Sequence, residues 1–104
     1  MWILQCPDGG EVGPFTFRLL PGAMKTVGRA VRADFIVDAA MVSRVHCRLV
    51  SSDDGGLEVE DLGSTNGTYV NDRRVRRAVL VPGDRLRVGR VELVVSRDAN
   101  VHHN

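Results

Sequence analysis

The sequence has few cysteines and few aromatic residues, and neither positive nor negative charge is in strong excess. Two of its 104 residues are cysteines, 5% are aromatic, and the formal net charge is +1. Small secreted domains held by disulfide bonds usually carry more cysteines in pairs, so we interpret Cys6 and Cys47 as reduced thiols of an intracellular protein. The near-neutral charge argues against direct binding to nucleic acid.

Long apolar runs and enzyme motifs are missing as well. No stretch approaches the length of a membrane-spanning helix or has the pattern of a secretion signal, so no membrane contact is expected. GxSxG, Walker, HExxH and paired CxxC motifs are absent, so we predict neither an enzyme with a small-molecule substrate nor a cofactor. His102 and His103 have no third ligand nearby in the sequence, and we assign them to a polar, disordered tail rather than to a metal site.

The sequence contains instead many short apolar alternations, separated by glycine, proline, aspartate and asparagine. Phe15, Phe17 and Leu19 alternate with polar residues, and Leu57 and Val59 do the same, which is typical of half-buried strands. No long amphipathic helix is evident. This spacing predicts an all-β sandwich or barrel. The predicted strands are residues 2–6, 16–20, 25–27, 35–37, 47–50, 57–60, 69–70, 74–75, 85–88 and 92–95.

Turn residues and the absence of a linker complete this prediction. Pro82-Gly83 suits a type II turn, and Asn71-Asp72 suits a two-residue hairpin loop, because asparagine and aspartate tolerate positive φ. Glycine would be easier than Asp72 in that loop, so a slightly costlier turn is expected. We predict one domain over residues 1–97, followed by the polar tail at 98–104.

Three short motifs carry chemistry that suits a phosphorylated residue. They are Gly28-Arg29, Ser43-x-x-His46 and Asp-Leu-Gly-Ser-Thr-Asn-Gly-Thr at residues 61–68. A phosphate on a side chain brings a charge of about −1.5 to −2 and three acceptor oxygens, so it needs a permanent cation and several donors. The Arg29 guanidinium is always charged, and its fork matches oxyanion geometry. Hydroxyl groups and an asparagine amide in the other two motifs add donors.

In this order and at these separations, the three motifs resemble the forkhead-associated (FHA) domain, a phosphothreonine reader, over roughly residues 2–95. The resemblance implies a two-sheet β-sandwich of about ten to eleven mostly antiparallel strands with the functional loops at one end. It also implies a phosphothreonine-containing protein or peptide as partner, bound in phosphorylation-dependent signalling. The residues that it implies bind the phosphate are Arg29, Ser43, Arg44 and Thr65. Asn66 would bind the peptide backbone, with structural support of the site from Gly28, His46 and Gly67.

His46 has two interpretations. Beside Cys47 it suggests a nucleophile with its base, or a pair of metal ligands. Adjacent strand residues point to opposite faces, however, so the two side chains are poorly placed for a dyad. The resemblance implies instead that the His46 ring hydrogen-bonds nearby loop backbone and holds the phosphate-binding loop in shape, and we favour this role over catalysis.

Other functions stay open on the sequence alone. An FHA fold can also act as a phosphate-independent interaction or dimerisation scaffold through a sandwich face. The arginines at 73–77 suggest DNA contact, which the net charge disfavours. Residues 31–34 or 73–77 are candidates for contacting the peptide residue that lies three positions after the phosphothreonine. A basic loop there would favour Asp or Glu at this peptide position. The start Met1-Trp2-Ile3-Leu4 weakly resembles nibrin-type DNA-damage proteins, which would place the protein in the nucleus; otherwise a cytoplasmic location is expected.

Overall fold

The computed structural model describes residues 1–7 and 12–98, and these contain strands and turns but no helix. The strands are β1 (Trp2–Cys6), β2 (Phe15–Leu19), β3 (Met24–Gly28), β4 (Phe35–Ile36), β5 (Cys47–Ser51), β6 (Leu57–Asp61), β7 (Thr68–Val70), β8 (Arg73–Val75), β9 (Arg77–Leu80), β10 (Arg85–Val88) and β11 (Val91–Arg97). With no helix in the described ranges, none of them could cross a membrane as a helix.

The strands form two sheets that face each other. The six-stranded sheet has the order β2-β1-β11-β10-β7-β8, and the five-stranded sheet has the order β4-β3-β5-β6-β9. The pairings are antiparallel except for β3 with β4, which is parallel. The prediction of a two-sheet sandwich of ten to eleven mostly antiparallel strands is confirmed.

Alternate residues of the strands fill the core between the sheets. Leu4 on β1, Leu49 on β5 and Leu93 on β11 are fully buried, while their neighbours along each strand are more exposed. Cys6 and Cys47 belong to the same core and are free thiols. Burial raises the pKa of both thiols, and for Cys47 to about 12, so each stays protonated and packs as a small apolar group.

Strand β9 is the one element in the described part of the chain that the sequence pattern missed. Arg76 and Arg77 carry charges typical of a solvated turn, which hides the short apolar run that follows. In the structure the chain leaves β8 on the six-stranded sheet, passes through Arg76 and joins β6 on the five-stranded sheet as β9. A single residue therefore links the two sheets here, a tertiary arrangement with no local sequence signature.

Both predicted turns form for the reasons given by their residues. Asn71 and Asp72 have φ of 50° and 69°, as a two-residue hairpin loop requires. Gly83 has φ of 94° after Pro82, and the Asp84 amide donates to the Val81 carbonyl at 3.1 Å, which completes the type II turn. Two non-glycine residues at positive φ make the hairpin loop the costlier of the two turns, as expected.

The antiparallel pairing of β5 with β6 separates the two ends of the sandwich. Cys47 lies opposite Asp61 at one end, and Ser51 lies opposite Leu57 at the other. The segments that precede β5 and follow β6 therefore meet at the first end, close to the end of β3. All three sequence motifs lie at this end.

Candidate functional site

Arg29 leaves the end of β3 and is held in place from two sides. Its backbone amide donates to the Ser43 carbonyl at 3.0 Å, and its side-chain Nε donates to the Val42 carbonyl at 3.0 Å. The side chain is exposed, and the terminal guanidinium nitrogens have no partner among the described residues. Fixing Nε to the backbone while leaving the outer edge of the fork free is a suitable arrangement for binding an oxyanion.

Gly28 is required by space rather than by a turn. A Cβ added at this position would lie 2.1 Å from the carbonyl oxygen of Arg44, which is backbone and cannot move aside. Gly28 is not a point at which the chain turns out of its strand, since the structure keeps Gly28 within β3. The absent side chain lets β3 approach the segment that carries Ser43 and Arg44.

Ser43 and Thr65 come from different motifs and are directly bonded. The Thr65 backbone amide donates to the Ser43 hydroxyl oxygen at 3.0 Å. Because the Ser43 oxygen accepts this bond, its hydrogen is free to donate to a ligand. The Thr65 side chain is exposed, so two hydroxyl groups are available beside Arg29.

Asn66 is anchored through one half of its amide group. Nδ2 donates to the Met41 carbonyl at 2.9 Å. The amide oxygen and the second Nδ2 hydrogen have no partner in the part of the chain that the structure describes. An extended peptide offers both a donor and an acceptor at each residue, so this pair of free groups matches a peptide backbone.

The buried His46 side chain links the segment that contains Ser43 to the segment that contains Gly67. Its ring is fully buried, with Nδ1 accepting from the Ser43 amide at 3.0 Å and Nε2 bonded to the Gly67 carbonyl at 2.8 Å. These partners assign the hydrogen to Nε2, since a carbonyl can only accept. Both ring nitrogens are thus occupied by loop backbone, which is the support role that the sequence suggested.

Gly67 and Arg44 complete the predicted set. Gly67 has φ of 89°, which lets the chain turn after Asn66 so that its carbonyl reaches His46. Arg44 is exposed and has no side-chain partner within the described ranges, while its backbone carbonyl accepts from the Ala30 amide at 3.1 Å. The structure brings every predicted site residue to one end of the sandwich.

Asp61 is the first residue of the third motif, and its structural role in the site was not predicted from the sequence. Its Oδ2 accepts from the amides of Gly63 and Ser64 at 3.0 and 3.1 Å, and its Oδ1 accepts from the hydroxyls of Ser64 and Thr68. Burial alone would raise the pKa of Asp61, but these hydrogen bonds outweigh it and hold the pKa below its ordinary value. An aspartate followed two and three residues later by glycine and serine is a recognisable turn signal.

Cys47 and His46 do not form a catalytic pair. The Cys47 thiol is fully buried with a strongly raised pKa, and both nitrogens of the histidine are engaged elsewhere. The described residues also contain no cluster of three or more potential metal ligands. His102, His103 and the predicted tail after Asp98 lie outside the described residues.

Comparisons with known proteins agree on the kind of domain. The family model described as FHA domain matches residues 25–89. An oxoglutarate dehydrogenase inhibitor from Corynebacterium diphtheriae is 41% identical over 73% of this chain and 52% of its own length. Glycogen accumulation regulator GarA from Mycobacterium tuberculosis is 40% identical over 73% of this chain and 46% of its own length. An ABC transporter ATP-binding/permease protein from the same species is 42% identical over 79% of this chain and 9% of its own length.

Solved structures give the same result over nearly the whole chain. One, determined for phosphothreonine-dependent FHA domain interactions, has a TM-score of 0.82 at 34% identity and covers 93% of this chain and 96% of that chain. The FhaA FHA domain complexed with the intracellular domain of Rv3910 has a TM-score of 0.81 at 34% identity and covers 91% of this chain and 99% of that chain.

The lengths and the source organisms of these relatives limit which of their properties can be transferred to this chain. The chain spans about half the length of the two regulators and a small part of the transporter. The regulators and the transporter are bacterial proteins, so the weak resemblance to nibrin-type DNA-damage proteins, and the nuclear location that depended on it, find no support.

Proposed function

Because this chain belongs to the FHA domain family, a family of interaction modules, we propose that it binds a phosphothreonine in an extended segment of a partner protein. One observation carries the proposal. Four groups come together at one end of the sandwich, namely the cation of Arg29, the hydroxyls of Ser43 and Thr65, and the free half of the Asn66 amide. The side chains of Arg29, Ser43 and Asn66 are each held by one hydrogen bond to backbone.

Each residue has a task that follows from its free atoms. Arg29, Ser43, Arg44 and Thr65 would donate to the phosphate, with charge-assisted hydrogen bonds worth about 1.5–3 kcal/mol each. Asn66 would pair with the peptide backbone beside the phosphothreonine. The threonine methyl adds about 1 kcal/mol if it is buried, so some preference over phosphoserine is expected. A short peptide covers less than a standard interface, and we expect low micromolar affinity.

The proposal is tested by calorimetric titration with three peptide pools, containing phosphothreonine, phosphoserine or unmodified threonine at a fixed position. We expect binding to the phosphothreonine pool only, and loss of that binding in Arg29→Ala while the protein remains folded. Arg18→Ala is the matched control, since Arg18 is an exposed arginine on the edge strand β2 and outside the site. Equal binding to all three pools, or none, would overturn the proposal.

A scaffold function is the second candidate, and one surface favours it. On the outer face of the five-stranded sheet, Met24, Val50, Glu58 and Val79 lie in one cross-strand row, with Met24 58% and Val79 67% exposed. The three apolar side chains of this row could contact a protein surface without any phosphate. Capture of a partner that persists unchanged in Arg29→Ala and is lost in Val79→Ser would favour this function.

We propose further that the domain extends over residues 1–97, beyond the range of the family match. In support, β1 lies between β2 and β11 in the six-stranded sheet, so neither flank can be removed without exposing the core. The relatives named as regulators suggest that binding serves regulation of other proteins, and the FhaA complex with an intracellular domain suggests that it occurs inside the cell.

A further inference from the structure

The backbone of residues 41–43 holds side chains of the site through its carbonyl groups. The Met41 carbonyl accepts a hydrogen bond from Asn66 Nδ2 at 2.9 Å, and the Val42 carbonyl accepts one from Arg29 Nε at 3.0 Å. The position of this short segment therefore sets the position of two recognition side chains at once.

The turn between β10 and β11 lies against this segment. Val88 at the end of β10 pairs with Val91 at the start of β11, so the turn consists of Gly89 and Arg90. Val88 also pairs with Thr68, the first residue of β7, which places the turn beside the second recognition loop. Gly89 is buried although it belongs to a turn, because the segment that contains Met41 covers it.

Gly89 approaches the Met41 backbone more closely than any side chain would allow. A Cβ added at Gly89 would lie 2.9 Å from both the carbonyl carbon and the carbonyl oxygen of Met41. These are backbone atoms, so the whole segment would have to move to admit a side chain. The same carbonyl oxygen accepts the hydrogen bond from Asn66. A methyl group at position 89 would therefore crowd the atom that anchors the Asn66 amide.

The turn is also held from the outer face of the six-stranded sheet. Arg87 Nη1 donates to the Gly89 carbonyl at 3.4 Å. The guanidinium of Arg87 lies over the Tyr69 ring, 4.1 Å from the ring centre, in a favourable cation–π contact. Arg87 thus holds the turn on one side, and the turn meets the Met41 backbone on the other.

We propose that Gly89 is a positioning residue for peptide binding. The β10–β11 turn keeps the Met41 carbonyl in place and, through that carbonyl, the Asn66 amide. The inference rests on the proposed phosphothreonine function and assigns part of the peptide affinity to a buried residue outside the set of ligand contacts. An amide group is planar, so its free half is aimed at the peptide backbone only while its other half stays bonded to Met41.

The turn itself offers a simpler explanation for glycine at this position. Gly89 has φ of 60°, and a two-residue hairpin loop with positive φ at its first residue favours glycine whatever lies nearby. Gly83 separates the two explanations. It has φ of 94°, and a Cβ added there would meet nothing within 4 Å beyond its chain neighbours in the described part of the chain.

The test compares Gly89→Ala with Gly83→Ala, each alone and combined with Asn66→Ala. Binding is measured by anisotropy of a dye-labelled peptide from the phosphothreonine pool. Both alanine variants should be less stable, because alanine is strained at positive φ. We expect Gly89→Ala to weaken binding by about threefold to tenfold, as loss of one ordinary hydrogen bond does, and Gly83→Ala to leave it unchanged. When Asn66→Ala is present, Gly89→Ala should add less than about twofold, because both act on one contact.

The outcomes separate this inference from the function on which it rests. If the unaltered protein binds no phosphothreonine peptide, both fail. If it binds, and Gly89→Ala binds equally well or loses as much affinity with Asn66→Ala as without it, the positioning role is wrong and the phosphothreonine function stands. An equal loss in Gly83→Ala would also overturn the inference, since backbone strain in a turn would then be sufficient.

Arg87→Gln decides the case if Gly89→Ala does not fold. This variant removes the bond to the Gly89 carbonyl and the contact with Tyr69 but adds no atom beside Met41. A loss of affinity that disappears when Asn66→Ala is present supports the inference. An unchanged affinity, or a loss that simply adds to that of Asn66→Ala, overturns it.

Discussion

At the scale of single residues, His46 shows how one buried side chain can shape a site that it does not touch. Its ring links the Ser43 amide to the Gly67 carbonyl, and these belong to two segments far apart in sequence. The motif Ser-x-x-His predicted contact with nearby loop backbone. It could not predict that the second bond reaches Gly67, since a contact over twenty-one positions depends on how the sheets bring the loops together.

Removing this ring should weaken both folding and binding. His46→Ala leaves the part-buried Ser43 amide and the buried Gly67 carbonyl without partners. An unsatisfied buried group costs about 1–3 kcal/mol, so we expect the free energy of unfolding in urea to fall by an amount of this order. Without the ring, Ser43 would no longer be held in position to donate to the phosphate. Loss of this single charge-assisted bond should weaken binding of a phosphothreonine peptide roughly tenfold or more. His46→Asn, which keeps an acceptor near Nδ1, should recover part of both losses.

Ser51 provides the control for this prediction. It is equally buried, but its hydroxyl has no hydrogen-bond partner in the described part of the chain. Ser51→Ala removes an unsatisfied group and should leave stability unchanged or slightly higher. If Ser51→Ala were as damaging as His46→Ala, the effect of His46→Ala could not be assigned to loss of the loop bonds.

At the scale of elements, the loop that follows β6 is ordered by Asp61, the last residue of that strand. Asp61 ends the strand and accepts hydrogen bonds from residues two, three and seven positions later. The sequence identified this loop by the Thr-Asn-Gly run in its middle, where the ligand would bind. The role of Asp61 was not predicted, because its hydrogen bonds stabilise the loop and are not made to a ligand. Strand β9 was not predicted for a related reason, because Arg76 and the first residue of the strand, Arg77, carry charges typical of a surface turn.

The lowered pKa of Asp61 makes the loop sensitive to acid. A carboxylate whose pKa is lower in the folded protein stabilises it at pH values above its unfolded pKa, about 3.9, and this stability is lost as the pH falls through the lower folded value. We therefore expect Asp61→Asn to be destabilised near neutral pH, with the difference from the unaltered protein shrinking in acid, as measured by urea unfolding at a series of pH values.

Asp72→Asn separates loop bonding from the simple loss of one negative charge. Asp72 is exposed, and its carboxylate pairs with the exposed Arg85 at 3.5 Å. This variant changes the net charge as Asp61→Asn does but leaves the loop bonds intact. A difference from the unaltered protein that is equally large in both variants would contradict the assigned role of Asp61.

At the scale of the whole molecule, the sandwich keeps its recognition loops and its opposite end apart. Trp2, at the start of β1, is 4% exposed, and its indole nitrogen donates to the Gly55 carbonyl at 3.1 Å in the turn between β5 and β6. Arg97 covers its ring at 5.1 Å. That turn closes the end of the β5–β6 pair opposite Asp61, about 15 Å away along five residues of strand. The alternation of apolar residues predicted the strands, but the order of the strands in each sheet, which creates this separation, is set by long-range pairing alone.

The position of Trp2 has a practical optical consequence. Trp2 is the single tryptophan of the chain, so all tryptophan emission comes from one environment. This environment is buried and lies far from the proposed binding site. We expect the emission maximum to move to longer wavelength on unfolding in urea and to stay fixed during titration with a phosphothreonine peptide. A spectral change on titration would instead mean that binding at one end alters packing at the other. Folding and binding can then be followed in one cuvette by two independent signals, tryptophan emission for the protein and anisotropy of a dye-labelled peptide for the complex.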